Sequence, residues 1–112
     1  MATIQMSGPY YYDTTLYVGG QGLLPGNVVN FWAGSFDDVN GDVVVTGTPD
    51  TTQPGGTVQA RTALWVQDMS VENVPTVNGD IVLHEFYVWA TYRNSSANSI
   101  RYFTAWIAFI TP

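Results

Sequence analysis

Cysteine and lysine are both absent from this sequence, which also contains a single histidine and only three arginines. Without cysteine the fold cannot depend on disulfides, and a zinc site, which usually needs several His or Cys ligands, is not expected. Three basic residues against nine acidic ones give a formal charge of −6. Because nucleic-acid binders and proteins of anionic membranes rely on Lys and Arg, we expect neither kind of partner.

Long apolar runs and a recognisable leader are also missing. The opening residues, MATIQMSGPYYYD, lack the basic region and apolar core of a secretory signal. No run approaches the roughly 20 apolar residues that a membrane-spanning helix needs. The sequence therefore predicts a soluble protein without membrane insertion, either cytoplasmic or released without a classical signal.

Catalytic motifs are equally scarce. The only histidine, His84, lies within a predicted strand, where Glu85 points to the opposite face, so a Ser-His-carboxylate arrangement is not indicated. A carboxylate pair for glycoside hydrolysis stays formally open, because a sequence does not fix the separation of its acids. We predict a protein that is not an enzyme, with His84 packed in a core or an interface.

What the sequence does contain is a series of β-branched and aromatic runs between Gly, Pro and Asn-Gly turns. The tetrapeptide Val-Asn-Gly-Asp occurs twice, at residues 39–42 and 77–80, and Asn-Gly is typical of a two-residue β-hairpin turn. The predicted strands are residues 3–7, 11–18, 27–36, 42–47, 57–67, 71–74, 80–92 and 99–110. This pattern predicts one all-β domain over residues 1–112, an antiparallel β-sandwich of about eight strands, jelly-roll or immunoglobulin-like.

The last two predicted strands have no polar face. A strand with one solvated face alternates apolar and polar residues, whereas both faces of these strands are largely apolar. The second face needs a cover, which a subunit, a ligand or another part of the chain could supply. We expect a homo-oligomer, a dimer or trimer, and the predicted interface residues are Trp89, Phe103, Trp106 and Phe109.

One turn collects oxygen ligands of the kind that calcium prefers. Its candidate ligands are Asp37, Asp38, Asn40 and Asp42. The EF-hand spacing is missing, because the Gly comes fourth from Asp38 and the twelfth residue is Pro49. Asp and Asn also form turns without any metal, so no cofactor is predicted and calcium is kept as the alternative.

Four Trp, seven Tyr and loops rich in Asp, Asn, Ser and Thr favour carbohydrate binding. An aromatic ring stacks on the apolar face of a pyranose, and Asp, Asn or Arg fix its hydroxyls. The ligand-binding candidates are Tyr11, Tyr12, Asp13, Tyr92, Arg93, Asn94, Arg101 and Tyr102. In addition, the closing strand TAWIAF, residues 104–109, resembles the last strand of H-type lectins, small six-stranded sandwiches that trimerise and bind N-acetylgalactosamine. This resemblance covers the last quarter of the chain and assigns no binding residues.

Two functions of different classes follow. The first is a lectin-like protein that binds a neutral glycan or glycoconjugate and becomes multivalent through homo-oligomerisation. The alternative is a structural or assembly protein, such as a virion, fibre or surface component. They differ in whether the aromatic residues lie exposed among polar groups or buried flat between subunits.

Overall fold

The computed structural model describes residues 2–37, 39–50 and 61–112. Over these residues the elements are β1 (Thr3–Asp13), α1 (Thr14–Tyr17), β2 (Val28–Asp37), β3 (Asp42–Pro49), β4 (Leu64–Asn78), β5 (Ile81–Asn94) and β6 (Tyr102–Thr111). The strands form two antiparallel sheets of three strands, in the orders β1-β6-β3 and β2-β5-β4. The prediction of an all-β fold is confirmed.

The two sheets face each other across an aromatic core, which gives a sandwich-like arrangement. Phe31 of β2 meets Tyr10 of β1 with ring centroids 5.5 Å apart, and Tyr92 of β5 meets Phe103 of β6 at 4.8 Å. The buried apolar side chains are Leu23, Val29, Phe31, Ala33, Val45, Val88, Ala90, Tyr92, Ile100, Phe103, Ala105 and Ile107. Within each strand they alternate with outward side chains, as the pleat requires.

The described residues form six strands where the sequence predicts about eight. Predicted strands 3–7 and 11–18 are joined, because the Gly8-Pro9 step produces only a register shift between Ser7 and Tyr10 within β1. Predicted strands 57–67 and 71–74 likewise contribute to one strand, β4, with a shift between Val66 and Asp68. A bulge bends a strand without ending it, so β1 continues through Pro9, and β4 continues through residues 68–70, where the sequence predicts a gap. Residues 57–60 of that prediction lie outside the described residues.

The prediction of strand at residues 14–17 is wrong, since α1 occupies them. Asp13 caps this helical turn and accepts from the Thr15 backbone N–H at 3.0 Å. Thr14 is fully buried, and its hydroxyl donates to the Ile100 carbonyl at 2.7 Å and accepts from the Leu23 N–H at 3.1 Å. The cap and these long-range bonds override the β propensity of the threonines.

The two Val-Asn-Gly-Asp copies have different structures. The second forms the predicted β4–β5 hairpin, one residue later than expected, because Asn78 pairs with Ile81 and Gly79 takes φ +64°. The first is not a hairpin, since it connects β2 of one sheet with β3 of the other. Gly41, with φ +102°, lies against the Ile110 carbonyl, where a Cβ has no space.

The β4–β5 hairpin extends beyond the rest of its sheet. Pairing of β2 with β5 ends where Asp37 faces Glu85, whereas β4 pairs with β5 as far as Ile81. We call residues 74–84 the arm. Its side chains are exposed along both strands, including large apolar ones such as Val77 and Leu83.

Candidate functional site

Three tryptophans share the outer face of the β2-β5-β4 sheet. Trp32 of β2 pairs with Trp89 of β5, and Trp65 of β4 pairs with Arg93, which lies four residues after Trp89 on the same face. Their exposed fractions are 56% for Trp32, 54% for Trp65 and 40% for Trp89. We call this surface the Trp face. Large rings left in solvent on one sheet face are typical of a binding surface.

The rings on the Trp face are in mutual contact. The Trp32 and Trp89 centroids lie 5.9 Å apart with planes tilted by 33°, and the Tyr87 ring lies 6.1 Å from Trp32. The Tyr87 hydroxyl donates to the Glu85 carboxylate at 3.2 Å. Charge on Glu85 raises the pKa of Tyr87, so its phenol stays protonated at neutral pH. These contacts hold the rings in one orientation and provide a stable apolar surface.

A shallow depression lies beside Trp89 and combines its ring with polar groups. Its lining residues are Asn30, Ser70, Glu72, Trp89, Ala90 and Thr91. The Thr91 hydroxyl donates to the Asn30 side-chain oxygen at 3.0 Å, which orients the amide beside the ring. The depression thus offers an aromatic ring, hydroxyls, an amide and a carboxylate, the groups that sugar recognition uses.

Arg93, a predicted ligand residue, also lies on the Trp face but is held by protein groups. Its Nε donates to the Gln67 side-chain oxygen at 2.5 Å, and a terminal nitrogen donates to the Gly26 carbonyl at 2.6 Å. These bonds direct the guanidinium toward the β4 edge and the loop before β2. Arg93 is the cross-strand partner of Trp65, so this side of the Trp face carries a positive charge.

Five other predicted ligand residues gather at the opposite sheet, away from the Trp face. Asp13 pairs with Tyr102 across β1 and β6, and Arg101 Nε lies 3.6 Å from the Asp13 carboxylate. The Arg101 guanidinium lies 4.8 Å from the centre of the Tyr102 ring, and the Tyr12 ring stacks on Phe103 at 4.8 Å. Tyr11, beside them, is 81% exposed.

Tyr92 and Asn94, the last two predicted ligand residues, are fully buried. The Tyr92 hydroxyl donates to the Thr46 carbonyl at 2.9 Å, and burial raises the pKa of this phenol. The Asn94 side chain bonds to the loops around Leu23 and Ser96. The structure thus places the eight predicted ligand residues in three locations, and of these residues Arg93 is the one that lies on the Trp face.

The predicted interface residues are also dispersed. Trp89 lies on the Trp face, whereas Phe103 is buried in the core of its own chain. Phe109 is half-buried and packs edge-on against Phe36 at 5.0 Å, so another part of the chain covers it. Trp106 is half-buried on the outer face of β6.

Of the calcium candidates, Asp37 ends β2, Asn40 lies in the connection and Asp42 begins β3, whereas Asp38 lies outside the described residues. Among the described residues no group of three or more His, Asp or Glu side chains is placed to hold a metal. In that same part of the chain, no helix has the length and apolar character to cross a membrane.

Sequence reasoning missed Trp32 and Trp65 as site residues. The alternation of β2, in which Val29, Phe31 and Ala33 are buried, contains the signal that Trp32 points outward. The sequence does not show which strands are neighbours, and it is the pairing of β2 with β5 that places Trp32 beside Trp89. Comparison of the chain with protein-family models, curated proteins and solved structures finds no match, so the function is inferred from this geometry.

The Asp13 carboxylate gives the protein a stability term that depends on pH. Its bonds from Thr15, with a further contribution from Arg101, lower the pKa of Asp13 below its ordinary value. A lowered folded-state pKa stabilises the protein above the unfolded pKa of about 3.9, and that stabilisation is lost as pH falls through the folded value. We expect Asp13→Asn, which keeps the capping oxygen, to be less stable than wild type at neutral pH. In urea denaturation this difference should vanish at strongly acidic pH, and a difference independent of pH would contradict the assignment.

Proposed function

We propose that this protein binds neutral carbohydrate, without catalysis, on the Trp face. The observation that carries the proposal is the depression at Trp89, where an exposed ring adjoins Asn30, Ser70, Glu72 and Thr91. A pyranose laid on the ring would leave its hydroxyls beside these four side chains. Trp32 and Trp65 would extend the apolar surface toward further sugar units.

Charge on the Trp face favours a ligand without anionic groups. Glu72 lines the depression and Glu85 lies beside Tyr87 on the same face, whereas Arg93 already donates to Gln67 and Gly26. An acidic sugar brought to Trp89 would meet Glu72 before any cation. Neutral glycans or glycoconjugates are therefore the proposed ligand class.

A shallow site of this kind binds a single sugar weakly, so several copies acting together would raise the overall affinity. We therefore keep homo-oligomerisation as part of the proposal. The apolar outer face of the β1-β6-β3 sheet, with exposed Ile4, Met6 and Val44 around half-buried Trp106, supports it as a surface available to a subunit.

Trp89→Ala is the variant that tests the site. Removing the ring should weaken binding of a neutral oligosaccharide at least about tenfold, since an aromatic anchor commonly contributes more than 1.4 kcal/mol. A glycan array first identifies a ligand, and titration calorimetry then compares the variant with wild type. Near-normal stability is expected, because Trp89 is an outward side chain.

Tyr11→Ala is the matched control, because Tyr11 is an exposed aromatic residue on the other sheet. It should leave the sugar affinity unchanged. Equal affinity in wild type and Trp89→Ala would exclude this site. An array with no signal for neutral or acidic sugars, using folded protein at high concentration, would remove carbohydrate binding altogether.

The alternative function is a structural or assembly protein, and the projecting arm favours it. Self-association into open-ended assemblies, seen by light scattering without any sugar ligand, would support that alternative. A discrete oligomer that one neutral sugar stabilises thermally would support the lectin-like function.

A further inference from the structure

Within residues 2–37, 39–50 and 61–112, the arm has no strand paired with β5 on the side where β2 ends. The last residue of β5 that pairs with β2 is Glu85, opposite Asp37. Residues 81–84 lie between Glu85 and the turn at Gly79 and pair with β4 on one side. A strand edge without a neighbour presents N–H and C=O groups that can pair with another strand. Ile81, Val82 and Leu83 along this edge are each more than half exposed.

The other sheet edges contain features that oppose pairing. The outer strand β4 has a register shift between Val66 and Asp68, exposed Glu72, and Pro75, which lacks an N–H. Strand β1 has a register shift at Pro9, β2 has one between Ala33 and Phe36, and β3 ends at Pro49. Bulges, charges and prolines protect edges from association. Residues 81–84 contain no proline, no acidic residue and no bulge.

We propose that two copies of this chain pair antiparallel through the β5 edge of the arm, with the two-fold axis at Val82. A strand that pairs with its own copy forms a closed two-fold interface. The geometry selects the register, because paired residues must lie on the same face of the sheet. An axis at Leu83 would place Ile81 opposite Glu85 of the other copy, but Glu85 already pairs with Asp37 of its own chain. An axis at Ile81 would place Val82 opposite Asp80 in the turn and leave much of the edge at residues 81–84 without a partner strand.

The side chains are complementary in this register. Val82 meets Val82 of the other copy, and Ile81 meets Leu83, so the centre is apolar. Asp80 of each copy lies opposite His84 of the other, which places an acceptor beside the one histidine in the chain. Cross-strand apolar and polar pairs both stabilise a sheet, and the two-fold axis doubles each unlike pair.

The two-fold axis is perpendicular to the joined sheet, so both Trp faces lie on the same side of the dimer. The presentation of two sugar sites on one side of the dimer rests on the proposed function, whereas the strand pairing does not. A protein that dimerises through the arm but binds no sugar would support the strand pairing and contradict the proposed carbohydrate binding.

Sedimentation velocity over a range of concentrations tests the pairing. Val82→Lys sets two like charges opposite each other at the axis, so the dimer should weaken at least about tenfold. Leu16→Lys, an equally drastic change at a side chain of α1 that is 75% exposed and lies outside both apolar surfaces, should leave the dimer unchanged. A wild-type monomer, or an oligomer that Val82→Lys does not affect, would overturn the proposal.

A charge exchange tests the register itself. His84→Asp places two acids opposite each other and Asp80→Lys removes the acceptor, so each single variant should shift the equilibrium toward monomer. Asp80→Lys combined with His84→Asp restores opposite charges and should restore the dimer. Within one copy, His84 Nδ1 lies 3.1 Å from the Asn73 side-chain oxygen, and His84→Asp removes this contact. Circular dichroism therefore checks that the arm of each variant is still folded. Folded single variants that dimerise normally, or a double variant no better than either, would exclude this register.

Discussion

Replacing Phe103 with Ala should lower the free energy of unfolding by about 3–5 kcal/mol. Phe103 is 1% exposed, and its ring lies 4.8 Å from both the Tyr12 and the Tyr92 rings. It therefore fills the space between the two sheets, and its removal leaves a cavity that these flanking rings cannot close. Loss of the aromatic contacts adds to the cost of the cavity.

Urea denaturation followed by tryptophan fluorescence measures this loss. Tyr11→Ala serves as the control, because that side chain is 81% exposed on a neighbouring strand and should change the free energy by no more than about 0.5 kcal/mol. If Phe103 instead lay between subunits, Phe103→Ala would stay folded and become monomeric. That result would show that Phe103 lies in a subunit interface, as the sequence predicts, and not in the core of its own chain.

Replacing Asn94 with Ala should destabilise the protein by about 3 kcal/mol. The buried Asn94 amide donates to the Leu23 carbonyl at 2.9 Å and the Asn98 carbonyl at 2.7 Å. Its side-chain oxygen accepts from the Ser96 N–H at 2.9 Å. Alanine would remove all three bonds and leave the Ser96 N–H without its partner, while the Leu23 and Asn98 carbonyls would each keep one bond, from the Ile100 N–H and the Ser96 hydroxyl.

Thermal and urea unfolding of Asn94→Ala, with Asn73→Ala as an exposed control on β4, tests this role. The control should lose at most about 1 kcal/mol, because solvent replaces its bonds. A stable Asn94→Ala protein that no longer binds sugar would show instead that Asn94 is a ligand residue, as its sequence context predicts.

Much of the fold follows from local sequence patterns. The alternation of buried and exposed residues in β2, β5 and β6 and the hairpin at Gly79 are visible in the chain itself, because both depend on the period of a strand and on turn chemistry. The sequence predicts gaps at residues 8–10 and 68–70, where β1 and β4 are continuous, because a local pattern does not distinguish a bent strand from two strands.

Strand neighbours were not predictable in the same way. The first Asn-Gly looks like the second, yet β2 and β3 separate into different sheets because Gly41 lets the chain pass close to the Ile110 carbonyl, a contact with a residue far away in sequence. The same limit applies to the Trp face. Trp32, Trp65 and Trp89 belong to three strands, and only the order β2-β5-β4 brings them together.

The position of β6 at the centre of its sheet has a consequence for biosynthesis. Among the strands that the structure describes, β1 and β3 pair only with β6, so neither can pair until the chain from Tyr102 onward has been made. While the ribosome makes the intervening chain, the local β4–β5 hairpin can form and β1 cannot. Pairings between residues so distant in sequence form slowly. The nascent protein therefore carries β1 and β3 as unpaired strands, and this is the interval in which a chaperone would be most useful.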